Sequence, residues 1–122
     1  MQMFLNLSNH PSSKWLDGQL RATNRSCEDI IDVKFPNVPP EMQCTKRLAV
    51  ETVKNIPNLK NVEMAMVQGE PSVAAHLVSI LQKMGIPCYM ATTKREVFQD
   101  GDKKTSIFSF IQFREWPKIN ID

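Results

Sequence analysis

The stretch Ser8-Asn9-His10-Pro11-Ser12-Ser13-Lys14 gathers hydroxyls, an amide, an imidazole and an ammonium into one short segment. Such groups donate hydrogen bonds to an anion. A histidine titrates near neutrality, so His10 can hold a phosphate or give up a proton. Gln68-Gly69-Glu70-Pro71-Ser72 and Thr92-Thr93-Lys94-Arg95 are two further clusters of this kind. The candidate ligand contacts are Ser8, Asn9, Ser12, Ser13, Lys14, Gly69, Glu70, Ser72, Thr92 and Thr93. The candidate catalytic groups are His10, Lys94 and Arg95. Each has a plainer reading. Serines ahead of a helix are N-caps more often than ligand contacts. Gly69 can serve only to let the chain turn. Lys94 and Arg95 can be solvated charges, as exposed Lys and Arg usually are. His76 lies between apolar residues of a predicted helix and reads as structural.

These clusters need elements that bring them together. Met3–Leu7 is an apolar run that stops in small polar residues, the opening of a βα unit. The expected order continues with a helix over Ser13–Asn24, a strand over Asp29–Phe35 and a proline-rich loop over Pro36–Pro40. A helix over Glu41–Ile56, a strand over Val62–Val67 and a helix over Ser72–Met84 follow. In the last helix Val73, Leu77, Ile80, Leu81 and Met84 repeat at the spacing of one helical face, and Gly85 stops it. Ile86–Ala91 reads as a fourth strand ending in a Thr92–Arg95 loop. Glu96–Gln99 and Thr105–Arg114 then flank Asp100–Lys104 as a hairpin. Ile107–Phe113 carries apolar groups on both faces, which predicts a well buried strand.

Alternating strands and helices imply an α/β, three-layer, Rossmann-like fold. The expected sheet is mostly parallel, of order about 2-1-3-4, with a C-terminal β-hairpin. In open sheets of this type ligands bind beyond the strand carboxyl ends, near the point where strand order reverses. That topology would set the three polar clusters on one rim, with helix N-termini beside the first two to favour an anion.

The 122 residues predict one domain over 1–116 with a tail over 117–122. A net charge of +2 does not mark a duplex-DNA binder but permits a small anionic ligand. Three cysteines, Cys27, Cys44 and Cys88, are widely spaced without a Cys-x-x-Cys pair, so no metal site is expected. No cofactor is expected either, because neither GxGxxG nor a Walker loop occurs. With no apolar run long enough to span a bilayer and no signal peptide visible, the expected location is cytoplasmic and no membrane is involved.

Asn6–Trp15, Phe35-Pro36-Asn37-Val38, Val67-Gln68-Gly69-Glu70 and Gly85–Arg95 resemble a group of small CRISPR-associated proteins. Their compact Rossmann-like domain is related to the CARF (CRISPR-associated Rossmann fold) ligand-binding domain. The resemblance runs to about Trp116. It implies binding of a cyclic oligoadenylate second messenger, and for some members its cleavage as a ring nuclease, which switches off a type III antiviral response. The roles follow from chemistry rather than from a shared catalytic set. Lys94 or Arg95 would clamp the phosphate, His10 would protonate the leaving 5′-oxygen, and Ser8, Asn9 and Thr93 would orient the backbone. A symmetric ring suits a homodimer. Two other readings remain: a nucleotide sensor or sponge that does not cleave, and a protein-interaction module of flavodoxin-like shape using Trp15, Phe108, Phe110 or the hairpin.

Overall fold

The computed structural model describes residues 2–24, 27 and 29–121. Met1 and Asp122, the ends of the expected domain and tail, lie outside the described residues. The strands are β1 (Met3–Ser8), β2 (Asp29–Lys34), β3 (Val62–Val67), β4 (Cys88–Asp100) and β5 (Lys103–Glu115). The helices are α1 (Asp17–Asn24), α2 (Lys46–Lys54) and α3 (Pro71–Lys83). The sheet order is β2-β1-β3-β4-β5. β1 pairs parallel with β2 and β3, β3 pairs parallel with β4, and β4 pairs antiparallel with β5. The expected 2-1-3-4 order and terminal hairpin are present, and the arrangement is consistent with a Rossmann-like fold.

All of β1 is buried. Successive side chains of a strand point to opposite faces, so β1 feeds two cores. Met3, Leu5 and Leu7 pack with Ala49 and Val53 of α2 and with Val73, Leu77 and Leu81 of α3. Phe4 packs on the other face with Trp15, Cys27 and Met66, and Leu20 of α1 joins them. Burying each large side chain contributes about 1.5–3 kcal/mol relative to leaving it in water. Asn6 and Ser8 share Phe4's face and are also buried, which places polar groups inside the carboxyl end of β1.

Several boundaries differ from expectation. The helix expected over Ser13–Asn24 is broken. A 3-10 turn covers Ser12–Lys14, Trp15 is extended, and α1 starts at Asp17. Trp15 leaves the helical path because its ring stacks edge-on to Phe4 and its Nε1 donates to His10 O. α2 is shorter than Glu41–Ile56 because a Pro39–Met42 turn and the Thr45 cap position precede it. α3 ends in a Schellman motif, with Gly85 at φ +82° and the Ile86 amide bonded to Leu81 O.

The largest correction concerns the third loop. Thr92, Thr93, Lys94 and Arg95 are interior residues of β4, paired with Gln112, Phe110, Ser109 and Phe108 of β5. Threonine, valine and phenylalanine favour extended backbone, and the cross-strand ladder carries β4 on to Asp100. Gly101, at φ +62°, then makes a two-residue turn. The expected burial of Ile107–Phe113 also fails. Ile107, Phe108 and Ile111 are half exposed, because the outer part of the hairpin projects past the helices. The expected tail is anchored. Pro117 O accepts from Gln82, the Ile119 amide donates to Gln82 Oε1, the Ile121 amide donates to Ser79 Oγ, and Ile119 packs on the core.

Candidate nucleotide cleft

The polar end of β1 is a closed hydrogen-bond system that fixes the first loop. β1 and β2 run in register so that Asn6 lies beside Asp32. Asn6 Nδ2 donates to Asp32 Oδ1 and to His10 O, both at 2.8 Å. Ser8 Oγ donates to Asn6 Oδ1 at 2.7 Å and accepts from the His10 amide at 3.1 Å. Asp32 also accepts from the Ser12 amide at 3.0 Å and from Ser12 Oγ at 2.8 Å. With the Trp15 indole, His10 O accepts at least two good bonds, so the backbone under the imidazole is held on three sides. Partial burial raises the Asp32 pKa, but the bonds from Asn6 and Ser12 outweigh it and hold the carboxyl below its ordinary range.

The second polar cluster closes on itself as well. Glu70 caps α3, accepting from the Ser72 amide, the Val73 amide and Ser72 Oγ. The Ser72 bonds, then that of Val73, lower the Glu70 pKa. Thr45 Oγ1 donates to Ser72 Oγ. The free amides expected to attract an anion are thus occupied by the protein's own carboxylates, Asp32 at the Ser12 turn and Glu70 at α3. Gly69 is required by packing: a Cβ there would lie 2.5 Å from the Phe35 ring.

What remains open is a cleft of about 560 Å³ between the first loop, the start of α1 and the inner half of the hairpin. His10, Lys14, Trp15, Gln19, Gln68, Thr93, Phe108 and Phe110 line it, with Met66 and Ala91 beneath. A bulge opposite Thr92 and Thr93 makes the geometry of its wall. The extra residue, Ile111, turns Phe110 and Phe113 to the same face, with ring centroids 5.0 Å apart. Gln68 Oε1 accepts from the Ala91 amide at 2.9 Å, which orients its Nε2 as a donor. The cleft therefore combines aromatic surface with donors from Lys14, His10, Gln68 and Thr93. Its size is that of a small-molecule site.

The predicted residues divide accordingly. His10, Lys14 and Thr93 meet in the cleft. Ser8 and Ser12 work beneath it as supports. Asn9 and Glu70 border a smaller hollow of about 320 Å³ beside Lys34 and Phe35, while Ser13 is exposed and lines neither. Ser72 belongs to the α3 cap, and Thr92 Oγ1 donates to Gln112 O. Arg95 lies farther out on the cleft face, bonded to Ser106 Oγ and 5.9 Å from the Phe108 ring centroid. Lys94 alternates to the opposite face of the hairpin and is not brought to His10. Gln68 and Asp32 were not among the predicted site residues, and Trp15, Phe108 and Phe110 were named only for the protein-interaction reading. Asp32 had a legible signal, a carboxylate set between Ile31 and Val33 in an otherwise apolar strand.

Cys27 and Cys88 are buried. Burial, then Glu115, pushes the Cys88 thiol up to about 12, and burial, then Glu63, raises that of Cys27. Neither is a nucleophile at neutral pH. Among the described residues no group of three or more His, Cys, Asp or Glu could hold a metal ion. No described helix is long and apolar enough to cross a membrane.

A family model described as "Uncharacterized protein MJ1673 family" matches residues 2–114. No curated protein and no solved structure matches the chain.

Proposed function

The chain belongs to the uncharacterized protein MJ1673 family, and we propose that its cleft binds a small adenine-containing phosphodiester, a cyclic oligoadenylate, and opens the ring as a nuclease that ends an antiviral signal. One observation carries this reading: His10, Lys14 and the oriented Gln68 amide face the same cleft as Trp15, Phe108 and Phe110. Aromatic rings offer surface to a base through stacking worth about 1–3 kcal/mol. Donors and a cation offer partners to phosphate oxygens. The identity of the ring as oligoadenylate rests on the sequence resemblance.

The reaction uses the ligand's own ribose as nucleophile. A 2′-oxygen attacks the adjacent phosphorus in line, forming the P–O2′ bond as the P–O5′ bond breaks. The 2′-hydroxyl proton passes to solvent. The His10 imidazolium gives its proton to the departing 5′-oxygen, leaving a 2′,3′-cyclic phosphate and a 5′-hydroxyl. Lys14, in the cleft, stabilises charge on the phosphoryl oxygens, the role first assigned to Lys94 or Arg95. Arg95 reaches only the outer rim. Alignment of the 2′-oxygen contributes up to about 7–11 kcal/mol.

The test is incubation with cyclic tetra- and hexa-adenylate in the presence of EDTA. His10→Ala is expected to slow ring opening about 10²–10⁴-fold with binding retained. Lys14→Ala is expected to weaken binding about 10-fold or more, the worth of a charge-assisted hydrogen bond. Lys94→Ala should change neither. Tight binding with intact ligand would make the protein a sensor or sponge. Failure to bind any cyclic oligonucleotide removes the proposal.

A further inference from the structure

The two edges of the sheet are built differently. β2, at one edge, is short and carries Asp29, Asp32 and Lys34, the charges that normally blunt an edge against pairing with another chain. β5, at the other edge, is about twice as long, and from Thr105 to Phe113 it holds neither charge nor proline. Among the described residues no strand pairs with its outer side. A long, uncharged, exposed edge of high β-propensity is a pairing template.

The geometry points to a second copy of this chain as the occupant: we propose that the protein forms a two-fold dimer by antiparallel pairing of β5 with the partner's β5, centred near Ile107 and Phe108. Three observations favour this occupant. First, the exposed apolar side chains lie on both faces of the hairpin. Phe108 and Val97 share the cleft face, while Ile107 and Phe98 share the other. A partner stacked on one face would leave the other wet, whereas lateral strand addition covers part of each. Second, the charges lie outside the segment. Antiparallel pairing sends Lys103 and Lys104 of the two copies to opposite ends of the joint, whereas parallel pairing would stack like charges. Third, the edge strand itself carries the exposed apolar groups: Ile107, Phe108 and Ile111 of β5 are about half exposed, and a two-fold joint sets those of the two copies beside one another.

A two-fold axis normal to the sheet makes the contact isologous and closed, so it ends at two copies rather than growing into a fibre. It also keeps both clefts on the same face, with Phe108 at the rim of each. The inference does not depend on the ligand.

The experiment is mass measurement by light scattering on the eluting full-length protein, without nucleotide. The expected mass is twice 14.0 kDa for the wild type and 14.0 kDa for Ile107→Lys with unchanged circular dichroism. Because that lysine could disturb the hairpin itself, Ile107→Cys is tested in a Cys44→Ser background. Opposed positions near an antiparallel two-fold lie within disulfide reach, so mild oxidation should give a covalent dimer that a reductant releases. A wild-type monomer at every concentration overturns the proposal. So does an open-ended polymer, or a dimer that neither survives as a cross-link in Ile107→Cys nor dissociates in Ile107→Lys.

Discussion

At the scale of single residues, the site depends on a carboxylate that is not part of the lining of the main cleft. Asp32 receives three hydrogen bonds, and through Asn6 and Ser12 it fixes the loop that carries His10. Its pKa is lowered from 3.8 in the folded chain. A group so shifted contributes stability above its unfolded pKa and loses it as pH falls through the folded value. Asp32 is partly exposed, so solvent screening holds that contribution to about 1 kcal/mol or less. Urea midpoints should therefore show wild type above Asp32→Asn at about pH 7, with the gap narrowing as pH falls below about 4. A gap that persists in acid would mean the side chain matters for packing rather than charge.

Gly69 raises a second residue-scale prediction. The Phe35 ring occupies the space of its missing Cβ. Gly69→Ala must displace that ring from the core and should cost about 1–3 kcal/mol, the usual range for overpacking. Thermal unfolding measures it, and a Gly69→Ala, Phe35→Leu double variant should recover part of the loss, since a smaller side chain gives the methyl room. The nearby Pro71 and Ser72 make Gly69 look like a turn glycine in sequence. Its contact with Phe35 joins two segments far apart in the chain, which no local pattern reports.

At the scale of elements, legibility follows periodicity. β3 has the same limits as its apolar run, and α3 lies within a residue of its stripe, because in both the core-facing pattern and the stop signals agree. Where local signals and tertiary contacts diverge, the reading slips. Trp15 falls inside the stretch read as a helix over Ser13–Asn24, yet its contact with Phe4 and its bond to His10 O take it out of the helix. Thr92–Arg95 reads as a polar loop because its charges are judged residue by residue. Cross-strand pairing with Gln112 to Phe108 makes it strand, and only the partner strand reveals this. The consequence for the site is concrete. As a loop, this segment would have delivered Lys94 and Arg95 together. As a strand it alternates, offering Thr93 to the cleft and turning Lys94 away. The bulge at Ile111 then supplies what the loop did not, a Phe110 ring in the wall braced by Phe113.

At the scale of the whole molecule, the chain returns to its own core after the hairpin. The Trp116 amide donates to Cys88 O and its indole donates to Val67 O at 3.0 Å, closing β5 against β3 and β4. Pro117 to Ile121 then crosses α3, where Gln82 both donates to Pro117 O and accepts from the Ile119 amide. Ser79, buried on α3, is matched to the Ile121 amide. Composition at the end of the chain suggests a tail, because Pro117 and the polar Lys118, Asn120 and Asp122 make up most of it. Its anchoring comes from three polar side chains, Ser79, Gln82 and Lys83, on a helix read mainly for its apolar stripe. Removing residues 118–122 should uncover the core surface under Ile119, leave Ser79 without Ile121 and take the Ile119 amide, though not Pro117 O, from Gln82. At about 1 kcal/mol for each hydrogen bond lost, together with the burial of Ile119, the expected destabilisation is about 2–4 kcal/mol. Guanidinium unfolding of the truncated chain measures it. If α3 and β5 are held by this strap, the midpoint falls while ligand binding at the distant cleft is unchanged under native conditions. An unaltered midpoint would mean that the segment rests on the surface without contributing to the fold.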